Sequence, residues 1–151
     1  MSTDRIEKSV ALNAPIERVW RALTDYKEFG AWFRVTLDGP FAVGEVSTGQ
    51  IDFEACGHQD LKWNAEVKKM DKPHFFSFTW HPYAVDTGVD YSKEPPTLVE
   101  FHLKATATGT QLTVIESGFD ALPKERRDTA LRMNDGGWAA QLQNIQTHVE
   151  A

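Results

Sequence analysis

The last thirty residues, Leu122 to Ala151, constrain this chain more than any other stretch. On a helical wheel turning about 100° per residue, Leu131, Trp138, Leu142, Ile145 and Val149 fall in one narrow arc, which predicts a single long helix with an apolar stripe. Arg127 and Asn134 share that arc. Gly136 and Gly137 sit in mid-helix, where each glycine costs about 1 kcal/mol relative to alanine. Polar groups on a buried stripe and glycines inside a helix share one explanation if the helix roofs a cavity, and a local kink over the sheet is the plainer alternative. A stripe of this kind needs an apolar partner surface, and the chain before it must supply one.

The preceding segments read as strands. Ile6, Val10 and Leu12 alternate with Glu7 and Ser9, with Lys8 the odd member of the inner set. Asn13-Ala14-Pro15 ends that strand, and Ile16, Val19, Trp20 and Leu23 are spaced for a short helix. Asp25 is placed to cap a second helix through Trp32, with Phe29, Trp32 and Phe33 as its apolar side. Glu45 to Phe53 alternates poorly, as an edge or strongly twisted strand would. Leu61 to Val67 and Phe75 to Trp80 alternate well, joined by a turn at Asp71-Lys72-Pro73. Ala55 to Asp60 reads as a polar loop, and Tyr83 to Pro96 as a long connection, either a functional rim or a flap that gates the interior.

The clearest hairpin comes last. If Ala105 faces Thr110, then Leu103 faces Leu112, Phe101 faces Val114 and Val99 faces Glu116. That register puts Glu116 on the inner face, where an unpaired charge is costly. The expected fold is α+β: one domain over residues 1–151, a curved antiparallel sheet wrapped around a long C-terminal helix, with two short helices after the first strand. This is a helix grip.

Composition narrows the function. With 16 Lys and Arg against 22 Asp and Glu, and basic residues scattered, neither nucleic acid nor an anionic membrane is expected as a partner. There is no secretory h-region and no apolar run of about 20 residues, so the expected location is the cytoplasm. Its lone cysteine, Cys56, suits a reducing compartment. Cys56 and His58 form a Cys-x-His pair with no second pair at familiar spacing, so no metal is expected and no cofactor is implied. Nucleotide and acyl-transfer motifs are missing, and no catalytic residue is assigned.

Five tryptophans and nine phenylalanines suit either a dense core or the wall of an apolar pocket. The candidate ligand-binding set is Trp32, Phe33, Trp63, Phe78, Trp80, Phe101, Val114, Glu116, Asn134 and Trp138. For each ring the alternative is ordinary core packing. For Glu116 it is a salt bridge or a strand end reaching solvent, and for Asn134 a structural bond to the sheet.

Several runs resemble a known family: Ala14-Pro15-Ile16-Glu17-Arg18-Val19-Trp20, Trp32-Phe33, Phe78-Thr79-Trp80, Thr97-Leu98-Val99-Glu100-Phe101, Glu116-Ser117-Gly118-Phe119 and Asn134-Asp135-Gly136-Gly137-Trp138. They are similar to those of bacterial single-domain proteins related to the activator of the ninety-kilodalton heat-shock chaperone ATPase. That family belongs to the START-like superfamily, also called SRPBCC, with birch-pollen-allergen-like proteins and polyketide cyclases. The resemblance implies a mostly apolar cavity between sheet and C-terminal helix that holds a small hydrophobic or aromatic ligand, of lipid, polyketide or flavonoid type. It also implies two alternatives: a co-chaperone with a chaperone partner and a place in the stress response, or a cyclase- or hydrolase-type enzyme using the same cavity. Only the C-terminal type of domain is matched. The separate N-terminal domain that makes much of the chaperone contact in eukaryotic co-chaperones has no counterpart before Arg5, which places that reading second.

Overall fold

A computed structural model describes residues 5–51, 62–81 and 94–151. The elements run β1 (Arg5–Leu12), α1 (Ile16–Thr24), α2 (Tyr26–Phe33), β2 (Val35–Leu37), β3 (Val46–Ile51), β4 (Lys62–Asp71), β5 (Phe75–Trp80), β6 (Thr97–Thr106), β7 (Gly109–Ser117) and α3 (Lys124–Glu150). The strands form one curved antiparallel sheet of seven, ordered β1-β7-β6-β5-β4-β3-β2. This is the helix-grip architecture the alternation predicts. Its inner face and the stripe of α3, with Ala130, Trp138, Leu142, Ile145 and Val149 buried, enclose one apolar core. Each fully buried large side chain there contributes about 1.5–3 kcal/mol relative to exposure. Among the described residues no helix is long and apolar enough to cross a membrane.

Local chemistry accounts for the element ends. Asp25 accepts hydrogen bonds from the backbone N–H of Lys27 at 2.9 Å and Glu28 at 3.3 Å, which separates α1 from α2 as expected. Lys8, odd on its face, reaches across to Asp135 of α3 at 3.3 Å. The β6–β7 register is the expected one, Ala105 against Thr110 through Val99 against Glu116. β4 runs to Asp71, past the expected end at Val67, because a register irregularity between Val67 and Lys69 lets pairing with β5 continue.

Two expectations need correction. β3 is not an edge strand; it lies between β2 and β4, and the three-residue β2 is the edge. Its alternation is weak because its inward positions are small. Ser47 accepts the Trp63 indole N–H at 3.0 Å, and a Cβ on Gly49 would lie 2.3 Å from the Thr36 carbonyl oxygen of β2. The second correction concerns Gly136 and Gly137. Both face solvent in an unbroken helix, and no described atom outside the local helix lies within 4 Å of a Cβ built on either, so they make no room beneath Trp138.

That contrast predicts opposite signs for one substitution. Gly136→Ala and Gly137→Ala should each raise stability by about 0.5–1 kcal/mol, as alanine does in an unobstructed helix. Gly30→Ala in α2 should lower it instead, since the new Cβ would stand 2.4 Å from the Val35 carbonyl oxygen. Urea denaturation of the three variants checks both signs, and a destabilised Gly136→Ala would show that the solvent-facing assignment is wrong.

The end of α3 is anchored by charge. Glu28 of α2 accepts from Arg18 at 2.5 Å and Arg21 at 2.7 Å, both on α1, and its carboxylate lies 3.0 Å from the His148 imidazole of α3. Burial pushes the Glu28 carboxyl up, but the hydrogen bonds from His148 and Arg18 and the charges of Arg18 and Arg21 together outweigh it and hold it below its ordinary value. A carboxyl depressed in the folded state contributes stability that is present above its unfolded pKa and is lost as the pH falls through the folded one. Acid unfolding should therefore weaken on the low side of the carboxylate range in Glu28→Gln. An unchanged acid limb in that variant would remove Glu28 from the account.

Candidate functional site

The polar centre of the core lies at the end of the sheet where β5 and β7 finish and β6 begins. Trp80 closes β5, Thr97 opens β6 opposite it, and Glu116 stands next to the end of β7, paired with Val99 on one side and Ile6 on the other. Strand parity points all three inward. From the opposite layer, Asn134 and Trp138 lie one turn apart on the same face of α3, so both side chains descend onto the same spot.

They meet at the Glu116 carboxylate, which is fully buried. Its Oε2 accepts from the Trp80 indole N–H at 2.7 Å and the Thr97 hydroxyl at 2.5 Å. Its Oε1 accepts from the Asn134 amide at 2.9 Å and the Trp138 indole N–H at 2.8 Å. Four donors on four acceptor positions match a deprotonated carboxylate, which has no proton of its own to place. Every one of these donors is neutral. Neither a salt bridge nor a strand end in solvent, the two plain readings of Glu116, describes this arrangement; hydrogen bonding alone offsets the desolvation of the charge.

The aromatic candidates surround this centre. Trp138 contacts Phe33, Trp80 and Phe101 with ring centroids 6.1, 5.7 and 5.8 Å apart. Trp63 contacts Phe33, Phe78 and Trp80 at 5.3, 5.5 and 5.5 Å. Trp32 is turned away, donating its indole N–H to the Ala22 carbonyl at 2.8 Å and thereby fixing α2 against α1. Val114 is buried one inward position from Glu116. Of the ten candidates, only Trp80 and Asn134 are half-buried, and the other eight are buried.

Thr97 is the member of the cluster that sequence reasoning did not single out. It is fully buried. Its signal was present in the parity it shares with Val99 and Phe101, which places a hydroxyl on the inner face directly opposite Trp80. Arg127, which shares the apolar arc on the wheel, is used elsewhere; it donates to the carbonyl oxygens of Asp120 at 2.9 Å and Leu122 at 3.3 Å at the turn into α3. Cys56, His58 and most of the Tyr83 to Pro96 connection lie outside the described residues, as do Phe53 and Leu61. Among the described residues no three histidine, cysteine or acidic side chains converge as a metal site would require.

Comparison with known families matches residues 13–150 to the model of the activator of Hsp90 ATPase homolog 1-like proteins. The chain belongs to that family. Solved structures of similar fold include protein MLL2253 from Mesorhizobium loti, at 23% identity and TM-score 0.76 over 97% of this chain and 96% of that one. Protein BH1534 from Bacillus halodurans is 26% identical with TM-score 0.70, covering 96% of each chain. The Aha1 dimer from Colwellia psychrerythraea is 17% identical with TM-score 0.71, over 97% of this chain and 96% of that one. No curated protein matches the chain. The family match begins at Asn13, so it takes in every strand of the site except β1 and includes all five members of the Glu116 cluster.

Proposed function

We propose that this homolog of the Hsp90 ATPase activators binds a small hydrophobic or aromatic molecule between its sheet and α3, admitted at Trp80 and Asn134. The observation that carries the reading is the coincidence of two properties at those residues. They are the half-buried members of the candidate set, and both donate to the buried carboxylate. A guest arriving there meets aromatic faces that bury its apolar body and, beneath them, a charge that orients it. A cytoplasmic location suits the reading, and no chemical step is required by it.

Native mass spectrometry of the protein purified from its own cells, followed by thermal unfolding with the retained compound, tests it. At a ligand concentration of 100 times Kd the gain is about 2.7 kcal/mol, a rise in Tm of roughly 5–10 °C for a domain of this size. A protein that carries nothing, and whose Tm is unmoved by lipids, polyketides and flavonoids, would defeat the proposal.

The family description favours one further reading, in which the chain acts on a chaperone ATPase. Turnover of the chaperone from the same organism, measured with and without this chain, separates the two; stimulation by a Glu116 variant that binds no ligand would favour the chaperone role.

A further inference from the structure

The chemistry of the Glu116 cluster restricts what kind of molecule can occupy it. The carboxylate accepts only neutral donors, two indoles, a hydroxyl and an amide. Of the basic side chains nearby on α3 and β1, Lys8 pairs with Asp135, Arg5 with Glu7 and Arg126 with Glu94, and Arg127 donates to the backbone carbonyl oxygens of Asp120 and Leu122. Nothing in the cluster balances a second negative charge. An anionic head group would face an existing carboxylate in an apolar interior, where repulsion is weakly screened and neither charge is hydrated.

The four donors are not equally replaceable. Thr97 and Trp138 are buried, and Trp80 is wedged among the rings of Phe33, Trp63, Phe78 and Trp138. Asn134 is half-buried on the outer layer, and among the described residues its amide makes one hydrogen bond to the sheet, the one to Oε1. A change of side-chain rotamer removes it without disturbing a strand. The vacated acceptor then lies beside the Trp80 and Trp138 rings, whose centroids are 5.7 Å apart.

We propose that the guest is a neutral molecule carrying a hydroxyl or N–H donor on an aromatic or apolar body, and that it reaches Glu116 by displacing the Asn134 amide. Carboxylic acids, free fatty acids among them, are excluded by the same carboxylate. This rests on the ligand-binding reading above and specifies it.

Three probes of one shape provide the test: 2-naphthol, 2-methoxynaphthalene and 2-naphthoate, titrated calorimetrically against the whole chain at neutral pH. A hydrogen bond to a charged acceptor corresponds to about tenfold or more in affinity; in the wild type the Asn134 bond given up offsets part of it, so 2-naphthol should bind more tightly than either of the others there, and by at least about tenfold in Asn134→Ala. In Asn134→Ala the amide no longer competes, so 2-naphthol should bind more tightly than in the wild type, while 2-methoxynaphthalene is unchanged. Equal affinities for all three probes would overturn the donor requirement and leave the binding reading standing. Binding of none would overturn both. An equal change for 2-naphthol and 2-methoxynaphthalene in Asn134→Ala would show that Asn134 shapes the pocket rather than occupying the guest's place.

Discussion

Glu116→Leu is expected to destabilise the fold by at least about 4 kcal/mol, near the upper end of single substitutions, although leucine is the more apolar side chain. The reason is the asymmetry of buried hydrogen bonding. Removing the carboxylate strands the Trp80 and Trp138 indoles, the Thr97 hydroxyl and the Asn134 amide, and a buried unsatisfied donor costs about 1–3 kcal/mol. Trp80 and Asn134 are half-buried and recover part of the loss through water, whereas Thr97 and Trp138 do not. Glu116→Gln should be milder, about 1–3 kcal/mol, because its oxygen can still accept from Asn134 and Trp138 while its amide faces Thr97, whose hydroxyl can turn to accept, and the Trp80 indole N–H, which cannot. Thermal unfolding orders the series: at 2–4 °C per kcal/mol, leucine should lower Tm by roughly 8–16 °C and glutamine by less. A leucine variant as stable as wild type would mean that the four donors are satisfied without Glu116.

The second large effect is at Trp138, where packing and hydrogen bonding can be separated. Trp138→Ala should cost about 3–5 kcal/mol, the range for deleting a large buried ring. The loss includes its contacts with Phe33, Trp80 and Phe101 as well as its bond to Glu116. Trp138→Phe retains a ring in that space and loses the indole N–H, so about 1–3 kcal/mol is expected. If the bond matters as argued, the phenylalanine penalty should shrink in a Glu116→Leu background, where the acceptor of the indole N–H is gone. Urea denaturation of the two single variants and the double variant measures this coupling, and strictly additive penalties would show that Trp138 acts through packing alone.

The helix grip was legible from periodicity because both of its parts declare themselves locally. A strand with one buried face must alternate, and a helix closing over that face must carry a stripe, so the hairpin register from Ala105 to Val99 follows from the residues themselves. Glu116 was legible for the same reason: parity places it inside. Parity also reaches Thr97, once the inward set of β6 is extended by one residue pair. The weak alternation of β3 was misleading because smallness at Ser47 and Gly49 answers to the bulk of Trp63 and the closeness of β2, and neither neighbour is local in sequence.

Sequence alone determined which side chains face the interior and that one of them is a carboxylate, because facing follows from backbone periodicity. Only the tertiary structure decided what that carboxylate meets. Its partners come from β5, β6 and α3, spread from Trp80 to Trp138, and convergence over such distances is set by how the sheet curves and where the helix crosses it. The same holds for Gly136 and Gly137. Their place within the helix is written in the chain, but whether a neighbour presses on them depends on packing, and here they stand open to solvent.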